Sequence, residues 1–493
     1  MKVAFVTPEL LSLVRRTNLA EIAEYLPRTL RREGADVRVF IPHAKEIDSG
    51  RLADVSHAGT VTVKDGEGTC KIDLIQGRLG EVPVILFDHP TWFRDRHPYG
   101  DDRGPYADNW RRYAIFSRAV LASFEVLEFK ADVIHCMDWT SGLIPILHQL
   151  EHVQPNPKHW MARTGTYFAV HNPAMQGSFE REILPKIGVP HEYFRAIEGI
   201  EHGGKVNYLK AGAEFATIVG THSPTQVDKV DELPAGTGLN DTMKRRKKEL
   251  VGVMNGIDYR AWDPSTDPLL AQPFGSEDKD PTIGKKKCKA AVQQAMKLDN
   301  GPRTPLLAII GRFDSDSGFE VLAEALTPML ERNIQLVMMG PGQPEILERM
   351  HTIEQTFSGR CRVIEGYNVN TAHVMLGGVD MLILPGHFHA SNALCAIGMR
   401  YGVVPIAYAY SGLEDTIVDL ETDTKNGTGF VFPHYESESL LDGIDAARSH
   451  YKDAGDWRDV VKKCLGLDFS WMETARNQLK AYRRVTRRVR SKK

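Results

Sequence analysis

Cationic side chains and histidines at the ends of short apolar runs are the first candidates for chemistry in this sequence. Arg15 and Arg16 stand in Arg15-Arg16-Thr17-Asn18, directly before an amphipathic run, and Arg312 follows the apolar stretch from Leu306 to Ile310. Guanidinium groups beside a helix start suit an anion, because the backbone N–H groups there and the fixed positive charge both favour phosphate oxygens. Two local features work against that use. Asn18 followed three residues later by Glu21 is a capping-box pattern, in which the Asn side chain occupies an N–H that a phosphate would need. The segment is therefore read as a self-capped surface helix with solvated arginines. Near Arg312, Asp314 and Asp316 add negative charge. Asp138 and His171 each follow a short apolar run, where loops commonly carry sites. Tyr367 offers a ring to a planar ligand or to packing. His387 and His389 form an H-x-H pair without a third ligand nearby, so they are read as ordinary histidines and no metal or other cofactor is expected.

These residues need elements to position them, and the pattern along the chain supplies two sets. Short β-branched runs alternate with helical periods, which predicts parallel sheets covered by helices and an α/β fold of two doubly wound domains. In the first set, strands are predicted over Val3 to Thr7, Val37 to Ile41, Ala131 to Cys136, Thr166 to Val170, Thr217 to Gly220 and Val251 to Met254. Leu19, Ile22, Ala23, Leu26 and Leu30 form one apolar stripe of a helix that Gly34 ends. The second set runs over Leu306 to Ile310, Leu336 to Met339, Arg362 to Ile364, Met381 to Leu384 and Val403 to Ile406. Between the two, Pro264, Pro268, Pro273 and Pro281 break any regular element and mark a connection. The domain boundaries are placed at 1–256, 257–281 for the connection, 282–465, and 466–493 for a C-terminal helix with a basic tail. At 493 residues the chain has room for two cores.

Charge and composition narrow the class further. A net charge of -3 excludes a chain-wide nucleic-acid surface. Apolar stretches are far shorter than a membrane span requires, and Met1 to Pro8 lacks a signal-peptide pattern, so a cytoplasmic protein is expected. The six cysteines contain no C-x-x-C pair, as suits reduced thiols. Lys244 to Lys248 and Lys285 to Lys287 are read as solvated helix faces. The tail, with Arg483, Arg484, Arg487, Arg488, Arg490, Lys492 and Lys493, is read as solvated, with an acidic partner, nucleic acid or an anionic membrane surface as the alternatives.

Several ordered motifs carry a family likeness. Asp138-Trp139, His171-Asn172-Pro173-Ala174-Met175-Gln176-Gly177, the run from Gly204 to Gly212, Ser223-Pro224-Thr225, Asn255 to Pro268, Met399 to Gly402 and Asp468 to Trp471 resemble those of bacterial glycogen and starch synthases. The resemblance runs nearly end to end. It implies two Rossmann-like domains facing a central cleft, the GT-B glycosyltransferase architecture, with the last helix crossing back to the first domain. It also implies transfer of glucose from ADP-glucose or UDP-glucose to the non-reducing end of an α-1,4-glucan, with retention and without a metal. By the same resemblance Asp138, Asn172, Gln176, Gly177 and Asn255 are sugar-facing, His171 lies near the transferred glucose, Arg15, Thr17, Asn18 and Tyr367 belong to the diphosphate and base side, and Arg312 clamps the diphosphate.

The sequence departs from that pattern where the donor is held. The family's Lys-Thr-Gly-Gly loop is Arg15-Arg16-Thr17-Asn18 here, so both glycines that let backbone approach the phosphate are gone. Ser317 stands where the family has its second diphosphate-binding cation, a lysine. His389 takes the position of a glutamate that faces developing positive charge at the anomeric carbon, and an imidazole supplies no fixed negative charge. Ser391 and Asn392 replace a Cys-Gly pair whose amides meet sugar hydroxyls, and Thr140 replaces the histidine of Asp-Trp-His. The expectation is a glycogen synthase-like protein that binds α-1,4-glucan, with sugar-nucleotide transfer impaired or absent. The alternative is an active retaining glucosyltransferase.

Overall fold

The computed structural model describes residues 1–66, 68–230, 239–314, 317–386, 392–408 and 413–491. The chain divides into two compact units, one of Met1–Met254 with Trp471–Lys493 and one of Asn255–Ser470.

The first unit is built on a nine-stranded sheet among the described residues. Its strands are β1 Lys2–Val6, β2 Asp36–Pro42, β3 Ala53–Asp65, β4 Gly68–Leu79, β5 Val82–Asp88, β6 Val133–Met137, β7 Gly165–Ala169, β8 Ile218–Thr221 and β9 Leu250–Gly252. Across the sheet they lie in the order β9-β8-β7-β6-β1-β2-β5-β4-β3. All pairs are parallel except β3 with β4 and β4 with β5. One face is covered by α1 (Leu19–Arg32), which brings Leu19, Ile22, Ala23, Leu26 and Leu30 to the core. The other face takes α2 (Asn109–Val126) and α3 (Tyr208–Phe215). Because helices cover both faces, the central strands are buried on both sides rather than alternating, Lys2 at the start of β1 excepted.

The second unit carries a six-stranded, all-parallel sheet among the described residues. Its strands are β10 Leu306–Ile310, β11 Gln335–Gly340, β12 Cys361–Glu365, β13 Met381–Leu384, β14 Val404–Tyr408 and β15 Phe430–Phe432, in the order β12-β11-β10-β13-β14-β15. Around it pack α4 (Thr282–Ala295), α5 (Phe319–Glu331), α6 (Ala393–Arg400), α7 (Ser437–Lys452) and α8 (Ala454–Gly466).

Several expectations are corrected by packing. The proline-rich stretch read as a connection belongs to the second unit, because Asp267 accepts hydrogen bonds from Tyr401 (2.6 Å) and His373 (2.7 Å) and Phe274 enters the core. Neither lysine-arginine run is simply solvated. Arg246 donates to the carbonyl oxygens of Ala213, Glu214 and Ala216 at the end of α3, and Arg245 pairs with Glu214. Lys285 is buried, with its ammonium on the carbonyl oxygens of Leu376, Gly377 and Tyr401. The basic C-terminal segment is the helix α9 (Trp471–Ser491), which buries Trp471, Ala475, Leu479, Tyr482 and Val485 in the first unit. Within it Arg484 donates to the carbonyls of Lys248 and Leu250, and Arg488 pairs with Glu249. Lys492 and Lys493 lie outside the described residues. Among the described residues no helix is long and apolar enough to cross a membrane.

Candidate functional site

In the first unit the loop between β1 and α1 is organised by an acid rather than by a cap. Glu9, fully buried, accepts from the backbone N–H of Arg16 (2.5 Å) and Thr17 (2.7 Å), from Thr17 Oγ1 (2.7 Å) and from the Tyr99 hydroxyl (2.5 Å). A carboxylate thus already sits on the loop's N–H groups. The capping box read from Asn18 and Glu21 does not form. Asn18 has helical backbone angles and makes no cap bond, while the Thr17 hydroxyl oxygen accepts from the Leu19 N–H at 3.2 Å. Glu21 turns instead to Arg15 at 3.0 Å, and Arg16 pairs with Glu46. Both arginines that sequence reasoning treated as solvated are therefore held by carboxylates, although Arg15 stays largely exposed. Glu9 carries no pattern of its own in the sequence. Its one signal is its position just past the carboxyl end of the first strand.

The neighbouring strands β6 and β7 bring the second group together. Asp138 follows β6 with a positive φ of 49°, a conformation that costs a non-glycine residue about 1–3 kcal/mol. Its Oδ1 accepts from the N–H of His171 at 2.7 Å and of Asn172 at 3.4 Å, so the carboxyl pins the loop after β7. Asn172 accepts from the Ala174 N–H, and Gln176 accepts from Asn207 at 2.6 Å. Gly177, with φ of 59°, lies against Trp139, where a Cβ would come within 2.4 Å of the indole. Thr140 is buried and donates to the Met137 carbonyl. Asp138, His171, Asn172, Gln176 and Gly177 therefore share one end of the sheet. Asn255 opens the second unit, half-buried.

Electrostatics in this group are set by burial. Burial pushes the Asp138 carboxyl up to about 7, against the pull of its two N–H donors and with help from Glu9. Both ring nitrogens of His171 are buried without a hydrogen-bond partner among the described residues. Burial first, and then His222, pushes this imidazole down to about 3, so it is neutral at pH 7. The two shifts have opposite consequences for stability. Asp138, raised from 3.8, contributes stability that is complete below about pH 4 and is lost as pH rises through 7. His171, lowered from 6.5, contributes stability that is complete above about pH 6.5 and is lost as pH falls toward 3. Between about pH 4 and 6.5 the slopes oppose each other. Relative to wild type, Asp138→Asn should make stability rise more steeply with pH in that window, and His171→Gln should tilt it the other way. Chemical unfolding at about pH 4.5, 5.5 and 6.5 checks both signs.

In the second unit the candidates lie past the carboxyl ends of β10, β12 and β13. Arg312 follows β10, its side chain 76% exposed, and donates from Nε to Asp314 at 3.0 Å. Ser317 donates to the same carboxylate from its hydroxyl (2.7 Å) and its N–H (3.0 Å). Burial raises Asp314, but the bonds from Ser317 and Arg312 prevail and hold it below the usual aspartate range. One carboxylate therefore engages both residues of the predicted diphosphate pair. Gly318, at φ of 82°, packs on Pro385, whose carbonyl oxygen would lie 2.4 Å from an added Cβ. Tyr367 follows β12 and is 57% exposed. Asn392, buried before α6, donates to the Thr416 hydroxyl at 3.3 Å, and its Oδ1 has no partner among the described residues. Asp316, His387, His389 and Ser391 fall outside the described residues. Among the described residues no three His, Cys, Asp or Glu side chains come together as metal ligands would.

Comparison with known proteins agrees along the whole chain. Residues 2–245 match the family model described as starch synthase catalytic domain, and residues 293–463 match glycosyl transferases group 1. A glycogen synthase of Geotalea uraniireducens is 31% identical over 484 residues, covering 98% of each chain. One of Moorella thermoacetica is 33% identical over 498 residues, covering all of this chain and 98% of its own. The chain belongs to the glycogen and starch synthase family. The structure of the catalytic domain of starch synthase IV from Arabidopsis thaliana, bound to ADP and acarbose, superposes with a TM-score of 0.83 at 28% identity, covering 98% of this chain and 99% of that one. A sucrose-phosphate synthase of Thermosynechococcus elongatus shares the fold at 16% identity, with a TM-score of 0.56 and 98% of each chain covered. The present chain shares the two-unit α/β architecture of this family.

Proposed function

We propose that this synthase-family protein binds α-1,4-glucan and transfers glucose from a sugar nucleotide weakly or not at all, acting as a glucan-binding or regulatory protein. The observation that carries the reading is Asp314, which takes hydrogen bonds from both Arg312 and Ser317. A diphosphate would have to compete with that carboxylate for the guanidinium, and no second ammonium stands at position 317. Where binding desolvates the site, loss of one charged partner costs about 2–5 kcal/mol, or roughly 30- to several-thousand-fold in rate. Glu9 on the Arg16 and Thr17 N–H groups supports the same reading from the first unit. By the resemblance, Asp138, Asn172, Gln176, Gly177 and Asn255 would face the glucan and Tyr367 the base. No metal is invoked, and a cytoplasmic location with glycogen is proposed.

A second reading, an active retaining glucosyltransferase using ADP-glucose or UDP-glucose, is favoured by the intact Asp138-to-His171 hydrogen bond and the neutral imidazole. In that reading His171 and Arg312 act on the donor. The two separate in one experiment. Each nucleotide sugar is supplied with glycogen as primer, and nucleotide release, glucan growth and co-sedimentation with glycogen are followed together. Co-sedimentation with release no faster than in a protein-free control is expected. Turnover at about 1 s⁻¹ or above, within the usual enzyme range, would establish the second reading.

A further inference from the structure

The second unit contains a cavity of about 520 Å³ at the end of its sheet opposite Arg312 and Tyr367. Pro305, Asn333 and Asp380 line it, and each lies within two residues of the amino end of β10, β11 or β13. The donor-side residues lie past the carboxyl ends of the same sheet, a five-residue strand or about 16 Å away. This cavity is therefore a separate place in the fold.

Its lining is strongly cationic. Lys285 and Lys286 come from α4, Arg303 from the loop before β10, and Arg448 and Lys452 from the C-terminal part of α7. The acid in the lining, Asp380, is already answered: it accepts from Lys289 (2.6 Å) and from the Leu306 N–H (2.8 Å). Arg448 is partnered by Asp445 at 2.6 Å, and Lys285 by backbone carbonyls. The Lys286, Arg303 and Lys452 side chains make no hydrogen bond or ion pair among the described residues, although Asp280 is near enough to Lys286 to feel its charge. Beside them stand two rings, Tyr451 and Trp457, packed edge to face at 5.1 Å between centroids. Cations in excess over acids, grouped at a concavity that also has aromatic walls, match a ligand that is anionic at its ends and carbon-rich between them.

We propose that this cavity binds a small phosphorylated organic compound, with Lys286, Arg303 and Lys452 meeting the phosphates and the carbon body lying on Tyr451 and Trp457. Recognition of this kind is charge-assisted, so it weakens as salt screens the exposed cations.

Calorimetric titration of the full chain tests it with four probes: fructose 1,6-bisphosphate, pyrophosphate, inorganic phosphate and unphosphorylated fructose. The bisphosphate is expected to bind most tightly and fructose not at all. Arg303→Ala combined with Lys452→Ala should weaken the bisphosphate about tenfold or more, while Arg312→Ala should leave it unchanged. Both lysine and arginine positions are exposed, and an unchanged circular dichroism spectrum with Lys452→Glu as a second variant separates lost binding from lost fold. Absence of binding by every phosphorylated probe, or binding that neither variant reduces, would overturn the proposal. Inorganic phosphate binding as tightly as the bisphosphate would overturn the assignment to an organic ligand.

Discussion

Replacing Glu9 by alanine is expected to destabilise the first unit by about 3–5 kcal/mol, the sum of two or three charge-assisted hydrogen bonds at about 1.5–3 kcal/mol each, less what entering water restores. The carboxylate is fully buried and takes four donors from three residues, Arg16, Thr17 and Tyr99. Those donors come from the loop before α1 and from a segment 90 residues away in sequence, so one side chain ties the start of the helix to the body of the unit. Denaturant unfolding followed by circular dichroism reads the loss. Faster hydrogen exchange at the Arg16 and Thr17 amides locates it. Glu9→Gln keeps the shape but exchanges one acceptor oxygen for an NH₂ group facing donors, so an intermediate cost is expected. A loss below about 1 kcal/mol for the alanine variant would mean that the loop is held by something else.

Changing Ser317→Lys together with His389→Glu is expected to raise kcat/KM for ADP-glucose by at least about 30-fold. By the family resemblance, the lysine would return a cation to the diphosphate and the glutamate a fixed negative charge near the anomeric carbon. The geometry around residue 317 sets the size of the gain. Asp314 lies 2.7 Å from the Ser317 hydroxyl and 3.0 Å from Arg312 Nε, so a new ammonium meets that carboxylate before it meets a ligand. Adding Asp314→Asn should therefore release a further gain, because the amide oxygen still accepts the N–H of residue 317 while the competing charge disappears. Steady-state kinetics on the double and triple variants check the order. If the triple variant is as inert as the wild type, the obstacle lies elsewhere, and the Glu9-held loop or the buried Asn392 is the place to look.

How far the sequence reveals this arrangement depends on what each element buries. β10 and β13 are legible to the residue because an apolar run covered on both faces has no other use in a domain of this size. The antiparallel pair β3 and β4 is not, because most of its residues are exposed and its alternation is confined to Val61 and Val63 and to Cys70, Ile72 and Leu74. β5, Val82–Asp88, is buried but begins Val-Pro-Val, and the proline masks it as a strand. The end of the first sheet bearing Asp138 and His171 is legible from motifs, since both residues sit just past strand ends. What is hidden is the long-range pairing. Glu9 lies seven and eight residues before its backbone donors, and a capping pattern at Asn18 and Glu21 satisfies every local rule while tertiary contacts take Glu21 to Arg15. The basic runs mislead in the same way: Lys285 and Arg246 end on backbone carbonyls that only the folded chain brings near. Asp314 is visible beside Arg312 in the sequence, yet its engagement of both Arg312 and Ser317 appears only when the loop is closed.

That double engagement makes the most direct test a titration of ADP into the full chain carrying Arg303→Ala and Lys452→Ala, which silences the cationic cavity at the other end of the sheet. With Asp314 holding Arg312 and no cation at Ser317, no saturable binding below about 1 mM is predicted. A dissociation constant of about 10 μM or tighter that Arg312→Ala abolishes would contradict the account and show that the donor site works as it stands.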